Sequence, residues 1–402
     1  MGYELDADGL RRLGTFFSSI GDVLNNKKRR ESYAIYAMGL LGSAARKSAE
    51  PLAAAASGDP KRCSAAHQRM THFLADSPWN DSDVRRLAMV HAVDAMTKYE
   101  PVRTWIIDDT GFLKQGKHSV GVQRQYTGSA GKVANCQIGV SLSIATRSAH
   151  VPIDFELYLP EDWTDDSERR EQCKIPHDVV FKTKEELALD MIERAVRNGV
   201  PGDIILADAW YGRSSDFRAV IRTYGFDYAL GITPMIKMQR LDNRDRPIGE
   251  SMNACDIASE LGNGAFRRIT WRDGTMNGTR GKLTARFAMR RVMVVGASEP
   301  EWLMVEQDAA GRNHLALTTL PKTMSKKLIV RLFKERYRTE RVYEEMKGEL
   351  GLDHFEGRSY VGWHHHVSVA ICCYAFVVTE RMRHFFPSTR RHGAPRPNAF
   401  AA

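Results

Sequence analysis

Residues 103–111 read RTWIIDDTG and residues 202–212 read GDIILADAWYG. In both, an apolar run emerges directly into a carboxylate: Asp108 and Asp109 after Trp105–Ile107, Asp208 after Ile204–Ala207. The second run is continuous and bounded by glycine, the pattern of a strand buried on both faces. The reading places Asp108 and Asp109 at the carboxyl end of one strand and Asp208 near the carboxyl end of another, where ligands of open α/β sheets gather. A single aspartate closing a strand is more often the first residue of a turn; a pair at matching strand ends points to a site.

Working outward, NCQIGVSLSIAT (135–146) and HVPIDFELYLP (150–160) alternate apolar residues around a short turn and predict a β-hairpin. TKEELALDMIERAVRNG (183–199) opens with a capping box, Thr183 to Glu186, and closes at Gly199, so a helix is expected. SSDFRAVIRTYG predicts a further helix and DYALGIT a further strand. Residues 234–326 are arginine-rich and read as β-ribbons with Gly and Asn turns. Ser325 caps a single long helix that stops at Gly351, and a second helix is expected from about Trp363 to Phe386. Residues 1–100 carry apolar residues at helical spacing, with Asp81 or Ser82 as a cap before DVRRLAMVHAV. Their basic clusters read either as a solvated face or as contacts to DNA phosphates.

The order is strand, strand, strand, helix, strand, helix, strand, insertion, helix. This is the order of an RNase H-like fold, in which the first and fourth strands lie side by side and parallel. The expected architecture is α/β: a mixed five-stranded sheet flanked by helices, built from residues 101–233 and 327–387. A β-rich insertion (234–326), an N-terminal helical domain (1–100) for DNA binding and a disordered basic tail (388–402) complete it.

The chain has 402 residues, 43% apolar and 27% charged, with a net charge of +9 and a pI near 9.2. That composition excludes disordered and fibrous classes. The basic balance favours an anionic partner, nucleic acid before a membrane surface. Six scattered cysteines without a CxxC pair fit neither a disulfide framework nor a zinc site. MGYELDADGL lacks a signal core, and no run reads as a membrane span, so a cytoplasmic protein is expected.

The stretch Arg336–Ser359, RYRTERVYEEMKGELGLDHFEGRS, supplies a third acid. At about 100° per residue, Glu340 lies about 40° from Arg336, with Lys347 and Tyr343 each about 20° away. Leu332, Val342, Met346 and Leu350 form the buried arc, while Glu345 and Glu349 point to the far side. Glu340 is therefore the carboxylate on a ridge that can look into a cleft; the alternative is a plain i, i+4 ion pair with Arg336. Carboxylates converging from two strands and a helix make an all-oxygen site suited to Mg²⁺ or Mn²⁺. Two such ions can activate a nucleophile and stabilise a leaving oxygen at a phosphodiester.

These residues resemble the bacterial insertion-sequence DDE transposases with a Tyr-Arg-Glu-Lys signature around the glutamate. Phe333, Arg336, Glu340 and Lys347 occupy that signature's spacing, and IDDTG, LADAWYG and ELGLDHFEGRS look like blocks of one subgroup. The resemblance extends over most of residues 30–385. It implies a catalytic, metal-holding triad of Asp109, Asp208 and Glu340, with two Mg²⁺ (or Mn²⁺) ions per site. Asp109 is preferred to Asp108 because the family's aspartate is commonly followed by Thr or Ser, as by Thr110 here. Arg336 and Lys347 would grip DNA phosphates, joined by Tyr337, Tyr343, Lys132 and Arg358. Phe333 departs from the family's tyrosine and lacks its hydroxyl.

The implied activity is cleavage of double-stranded DNA at terminal inverted repeats and transfer of the freed 3′-OH into target DNA, by a homodimer at the nucleoid. The competing readings are a DNA-binding relative without catalysis and a nuclease without strand transfer. Among other signals, YTGSAGKVAN lacks the spacing of a P-loop and reads as a loop before a strand. His364–His366 read as a packed or DNA-facing cluster, and Trp210 and Tyr211 as core packing before base stacking.

Overall fold

The computed structural model describes residues 5–58, 60–272 and 281–385. Its contacts divide into two units: Met1–Val102 with Ala145–Ile153 and Glu345–Ala402, and Arg103–Ile144 with Asp154–Glu344. The tail expected at 388–402 and residues 273–280 of the expected β-ribbons lie outside the described residues.

The first unit begins with α1 (Ala7–Val23), α2 (Lys27–Leu41), α3 (Ala49–Ser57), α4 (Pro60–Ala75) and α5 (Asp81–Thr97). Asn80, one residue before the expected cap, closes the start of α5 by accepting from the Ser82 amide at 3.0 Å. An asparagine side chain satisfies an orphan donor there as well as aspartate or serine would.

Apart from residues 145 and 150–153, which belong to the first unit, one sheet lies in the second unit. Its strands are β1 (Thr104–Leu113), β2 (Gln123–Thr127), β3 (Lys132–Ala145), β4 (His150–Tyr158), β5 (Ile204–Ala207) and β6 (Asp227–Gly231). These are followed by β7 (Lys237–Leu241), β8 (Pro247–Asn253), β9 (Arg267–Arg272), β10 (Leu283–Val294), β11 (Glu301–Gln307) and β12 (Asn313–Thr318). The order is β2-β3-β1-β5-β6-β12-β11-β10-β7-β8, with β4 on β3 and β9 on β10. β1 runs parallel to β5, and β5 parallel to β6.

Among the described residues twelve strands stand in one sheet where five were expected, because the six strands of the insertion join it and β2 adds one more. The edge of β6 is taken up antiparallel by β12, with Leu317 opposite Leu230, which leaves no unpaired edge there. The stretch expected as a loop at 126–135 is a hairpin, with Thr127 opposite Lys132 and Gly131 at φ +62. β1 also continues past its acids to Leu113, so Asp108 and Asp109 sit within a strand.

Helices α6 (Glu161–Asp165), α7 (Ser167–Gln172), α8 (Lys184–Arg197), α9 (Ala209–Gly212) and α10 (Ser215–Thr223) follow β4 and flank β5. α8 carries the expected capping box at Thr183 and Glu186 and buries Ala188, Met191, Ile192 and Ala195. Gly212 lets α9 lie directly on β6, because a Cβ there would collide with the Gly231 carbonyl oxygen. α11 (Ala254–Ser259) sits within the insertion.

The single helix expected from Ser325 to Gly351 is two helices. α12 (Lys326–Lys334) and α13 (Arg338–Leu350) are separated by a 3-10 turn at Glu335–Tyr337. Ser325 does cap the start, accepting from the Leu328 amide, and Gly351 at φ +65 follows the end.

α14 (Tyr360–Phe385) returns to the first unit. By length and apolarity it meets the test for a membrane span, contrary to the sequence reading, yet 89% of its most apolar window is buried, as in a core helix. His364, His365 and His366 are all buried within it. His365 bonds the carbonyls of Leu74 and Trp79 and stacks on Trp79. His366 bonds the Tyr36 hydroxyl and the Leu352 carbonyl. These histidines serve packing.

Candidate active site

Parallel pairing of β1 with β5 runs Thr104 opposite Ile204, Trp105 opposite Ile205 and Ile106 opposite Leu206. Continued by two residues, that register sets Asp108 in step with Asp208, the first residue beyond β5. Partners in a parallel pair share a face and neighbouring residues on a strand take opposite faces. Asp108 and Asp109 thus take opposite faces of β1, and the charge of Asp208 acts on both.

Each β1 acid is met by a cation from a different helix. Arg336, in the 3-10 turn, lies 3.6 Å from the Asp108 carboxylate. Lys184, the first residue of α8, lies 3.0 Å from Asp109. Asp108 is buried, and its Oδ1 accepts from the Asp109 amide at 3.0 Å. Burial pushes the Asp108 carboxyl up to about 7; Arg336 opposes the shift, and the charges of Asp109 and Asp208 reinforce it. Burial also raises Asp109 above the usual carboxylate range against the pull of Lys184. Asp208 caps α9 by accepting from the Trp210 amide at 2.9 Å. The site is thus a concentration of negative charge short of compensating cations.

Tyr211 is fully buried beside this cluster. Asp109, Asp208 and Asp108 are the charges that add most to the effect of burial in raising its hydroxyl, and that hydroxyl acts as a hydrogen-bond donor toward the Asp109 carboxylate. Trp210, expected in the core, is 43% exposed. It is flanked by the Arg213 guanidinium at 3.7 Å and the Lys184 ammonium at 5.1 Å from its ring centre, and its indole N–H donates to Glu185. The local cause is the four-residue helix α9, which turns residue 211 inward and residue 210 outward. Lys184 was missed in the sequence because its partner is 75 positions away.

Glu340 lies in the first turn of α13, is exposed, and makes no ion pair among the described residues. The i, i+4 pair with Arg336 does not form, since Arg336 is turned to Asp108. Tyr343 is buried and shares a hydrogen bond of 2.7 Å with Ser141 of β3, so it cannot reach DNA from there. Phe333 packs against the cluster of Phe287, Met304, Ala316 and Val330, a structural place for a ring without a hydroxyl. Tyr337 is 54% exposed, as are Lys132 and Arg358 by class. Lys347 is half-buried on α13.

Asp108, Asp109, Asp208 and Glu340 offer only oxygen donors, and the crowding of buried Asp108 with half-buried Asp109 and Asp208 calls for a hard cation, so the donors fit Mg²⁺ or Mn²⁺ in kind. Among the described residues, no three His, Cys, Asp or Glu side chains are gathered closely enough to hold one ion.

Residues 19–278, well over half of the chain, match the family model described as DDE superfamily endonuclease. The chain belongs to that family. The matched span contains Asp108, Asp109 and Asp208 and ends before Glu340. The chain is also 29% identical over 166 residues to the probable transposase for insertion sequence element IS701 of Microchaete diplosiphon. That alignment covers 41% of this chain and only 40% of the relative's length. Among solved structures, the NurA nuclease from Sulfolobus solfataricus aligns over 63% of this chain and 81% of its own, at 11% identity and a TM-score of 0.26. A likeness that weak carries no argument.

Proposed function

We propose, with membership of the DDE endonuclease family as the premise, that this chain is the transposase of an insertion sequence. It cuts double-stranded DNA at the element's terminal inverted repeats and joins the freed 3′-OH to target DNA, acting in the cytoplasm as a homodimer on the DNA. The observation that carries this is the crowding of Asp108, Asp109 and Asp208 at adjoining parallel strands; Asp108 is taken as the first acid in place of the expected Asp109 because the register, continued beyond Ile106 and Leu206, would set it level with Asp208. The order β4-β3-β1-β5-β6, with β1, β5 and β6 parallel, supports an RNase H-like core beneath them.

In this reading Asp108, Asp208 and Glu340 hold two Mg²⁺ or Mn²⁺ ions, which supply activation of the attacking oxygen and stabilisation of the leaving one. Arg336 and Lys347 grip phosphates near the cut, with a guanidinium suited to two phosphate oxygens at once. Tyr337, exposed one residue after Arg336, is placed to supply the hydroxyl that Phe333 lacks. Lys132 and Arg358 add exposed positive charge. The N-terminal helices (1–100) bind the repeats, and exposed Lys27, Lys28 and Arg30 at α2 contribute phosphate contacts. Residues 234–326 are the insertion that separates Asp208 from Glu340 in the chain.

The test uses duplexes carrying the repeats that flank the gene, with the wild type, Asp208→Ala and Glu340→Gln, in Mg²⁺, Mn²⁺ and EDTA. Metal-dependent cleavage at the repeat boundary, lost in both variants, with joined products, is the expected result. Repeat binding without cleavage in either metal would overturn it, and cleavage without joined products would leave a nuclease.

A further inference from the structure

The turn at Glu335–Tyr337 interrupts what the sequence reads as one helix, and its two sides are fastened to different strands. On the α12 side, Lys334 bonds Glu306 of β11 at 2.5 and 2.7 Å, and Phe333 packs against Phe287 of β10. On the α13 side, Tyr343 bonds Ser141 of β3. Between them, Arg336 reaches Asp108. A short 3-10 stretch inside a helix often marks a hinge.

The interruption changes where Glu340 points. A 3-10 turn advances about 120° and 2.0 Å per residue, against about 100° and 1.5 Å in an α-helix. Over three residues the difference is roughly 60° of rotation and 1.5 Å of rise. In a continuous helix Glu340 would stand about 40° from Arg336 and one turn along, on the same face. Because Arg336 faces Asp108, a continuous helix would turn Glu340 toward Asp108 too. With the turn in place, Glu340 is exposed and has no ion-pair partner among the described residues. The same chain therefore shows a guanidinium occupying an acid of the site and Glu340 exposed, outside any group of three acids, among the described residues, able to hold one ion.

We propose that the Arg336–Asp108 ion pair is a latch that holds the 335–337 turn bent, and that its release converts the turn to α-helix and brings Glu340 to Asp108 and Asp208. This rests on the reading of those three acids as the metal-holding set. The natural releasing agent is a DNA phosphate, whose oxygens a guanidinium can bond two at a time, in competition with the single 3.6 Å approach to Asp108. Substrate binding and completion of the site are then one event, so the protein does not assemble a metal-loaded nuclease site in the absence of DNA.

The experiment measures Mn²⁺ binding to the full-length chain without DNA, by calorimetry and by electron paramagnetic resonance. The proteins are wild type, Arg336→Met, Glu340→Gln, the double variant and Lys184→Met, each checked for folding by circular dichroism and thermal melting. The latch predicts that Arg336→Met tightens Mn²⁺ binding by about tenfold or more. Glu340→Gln alone changes little, and added to Arg336→Met it removes the gain. Lys184→Met deletes a positive charge equally near the site with no hinge attached, so any gain it shows persists when Glu340→Gln is added. Arg336→Lys, which keeps the charge, serves if Arg336→Met melts early, and is expected to give a partial gain with the same dependence on Glu340. The latch is overturned if Glu340→Gln weakens Mn²⁺ binding equally with and without Arg336, or has no effect in either background. Failure of the underlying site reading looks different: Asp208→Ala would then leave Mn²⁺ binding unchanged in every background.

Discussion

Asp108→Asn isolates the electrostatic cost of the site. The substitution keeps the shape and the oxygen that accepts from the Asp109 amide at 3.0 Å, and removes only the charge. Burial moves the Asp108 carboxyl from 3.8 to about 7. Between those values the folded protein holds a proton that the unfolded chain has released, so stability falls as pH rises through that window and levels off above it. At 1.36 kcal/mol per unit, the full loss is about 4 kcal/mol, of which roughly 2–3 kcal/mol falls between pH 5 and pH 8. The asparagine variant lacks this slope.

Urea unfolding of both proteins at pH 5 and pH 8, in EDTA, checks it. The quantity compared is the difference between the two pH dependences, in which titrating groups common to both proteins largely cancel. The variant should gain about 2–3 kcal/mol on the wild type in going from pH 5 to pH 8. Parallel pH dependences would refute the reasoning, since Asp108 would then titrate as an ordinary carboxylate.

Other consequences are simpler to measure. Gly212→Ala, which sets a methyl group against the Gly231 carbonyl, should cost about 3 kcal/mol or more through forced separation of α9 from β6, read as a fall in melting temperature. Tyr211→Phe removes the buried hydroxyl that helps hold the Asp109 carboxyl down and should cost about 1 kcal/mol, read as a fall in melting temperature; an unchanged melt would show that the hydroxyl makes no such bond. Tyr343→Phe breaks the bond to Ser141 and should cost about 1–2 kcal/mol while leaving affinity for short DNA duplexes intact, as measured by fluorescence anisotropy.

Much of this protein was legible in its sequence, for reasons of local physics. The capping box at Thr183 and Glu186, the buried run Ile204–Ala207, the cap at Ser325 and the stop at Gly351 each depend on residues within a few positions of one another. So does the buried arc of Val342, Met346 and Leu350, which survives because it lies wholly within α13. The separations that relate Asp108, Asp208 and Glu340 are long, but each acid stands in a short block that reads on its own.

What only the tertiary structure decided is set by pairing across distance. The pairing of β1 with β5 brings both β1 acids near Asp208, and the pleat sends them to opposite faces, where Arg336 meets one and Lys184 the other. Lys184 and Arg336 each choose an aspartate far away in the chain, so the helical arithmetic that matched Arg336 with Glu340 counted the near partner and missed the far one. The 3-10 turn at 335–337 arises where one helix is fastened at both ends to different strands, a constraint that no local propensity encodes. A sequence can specify which groups are able to meet; the strand register and the anchoring of each helix determine which of them do.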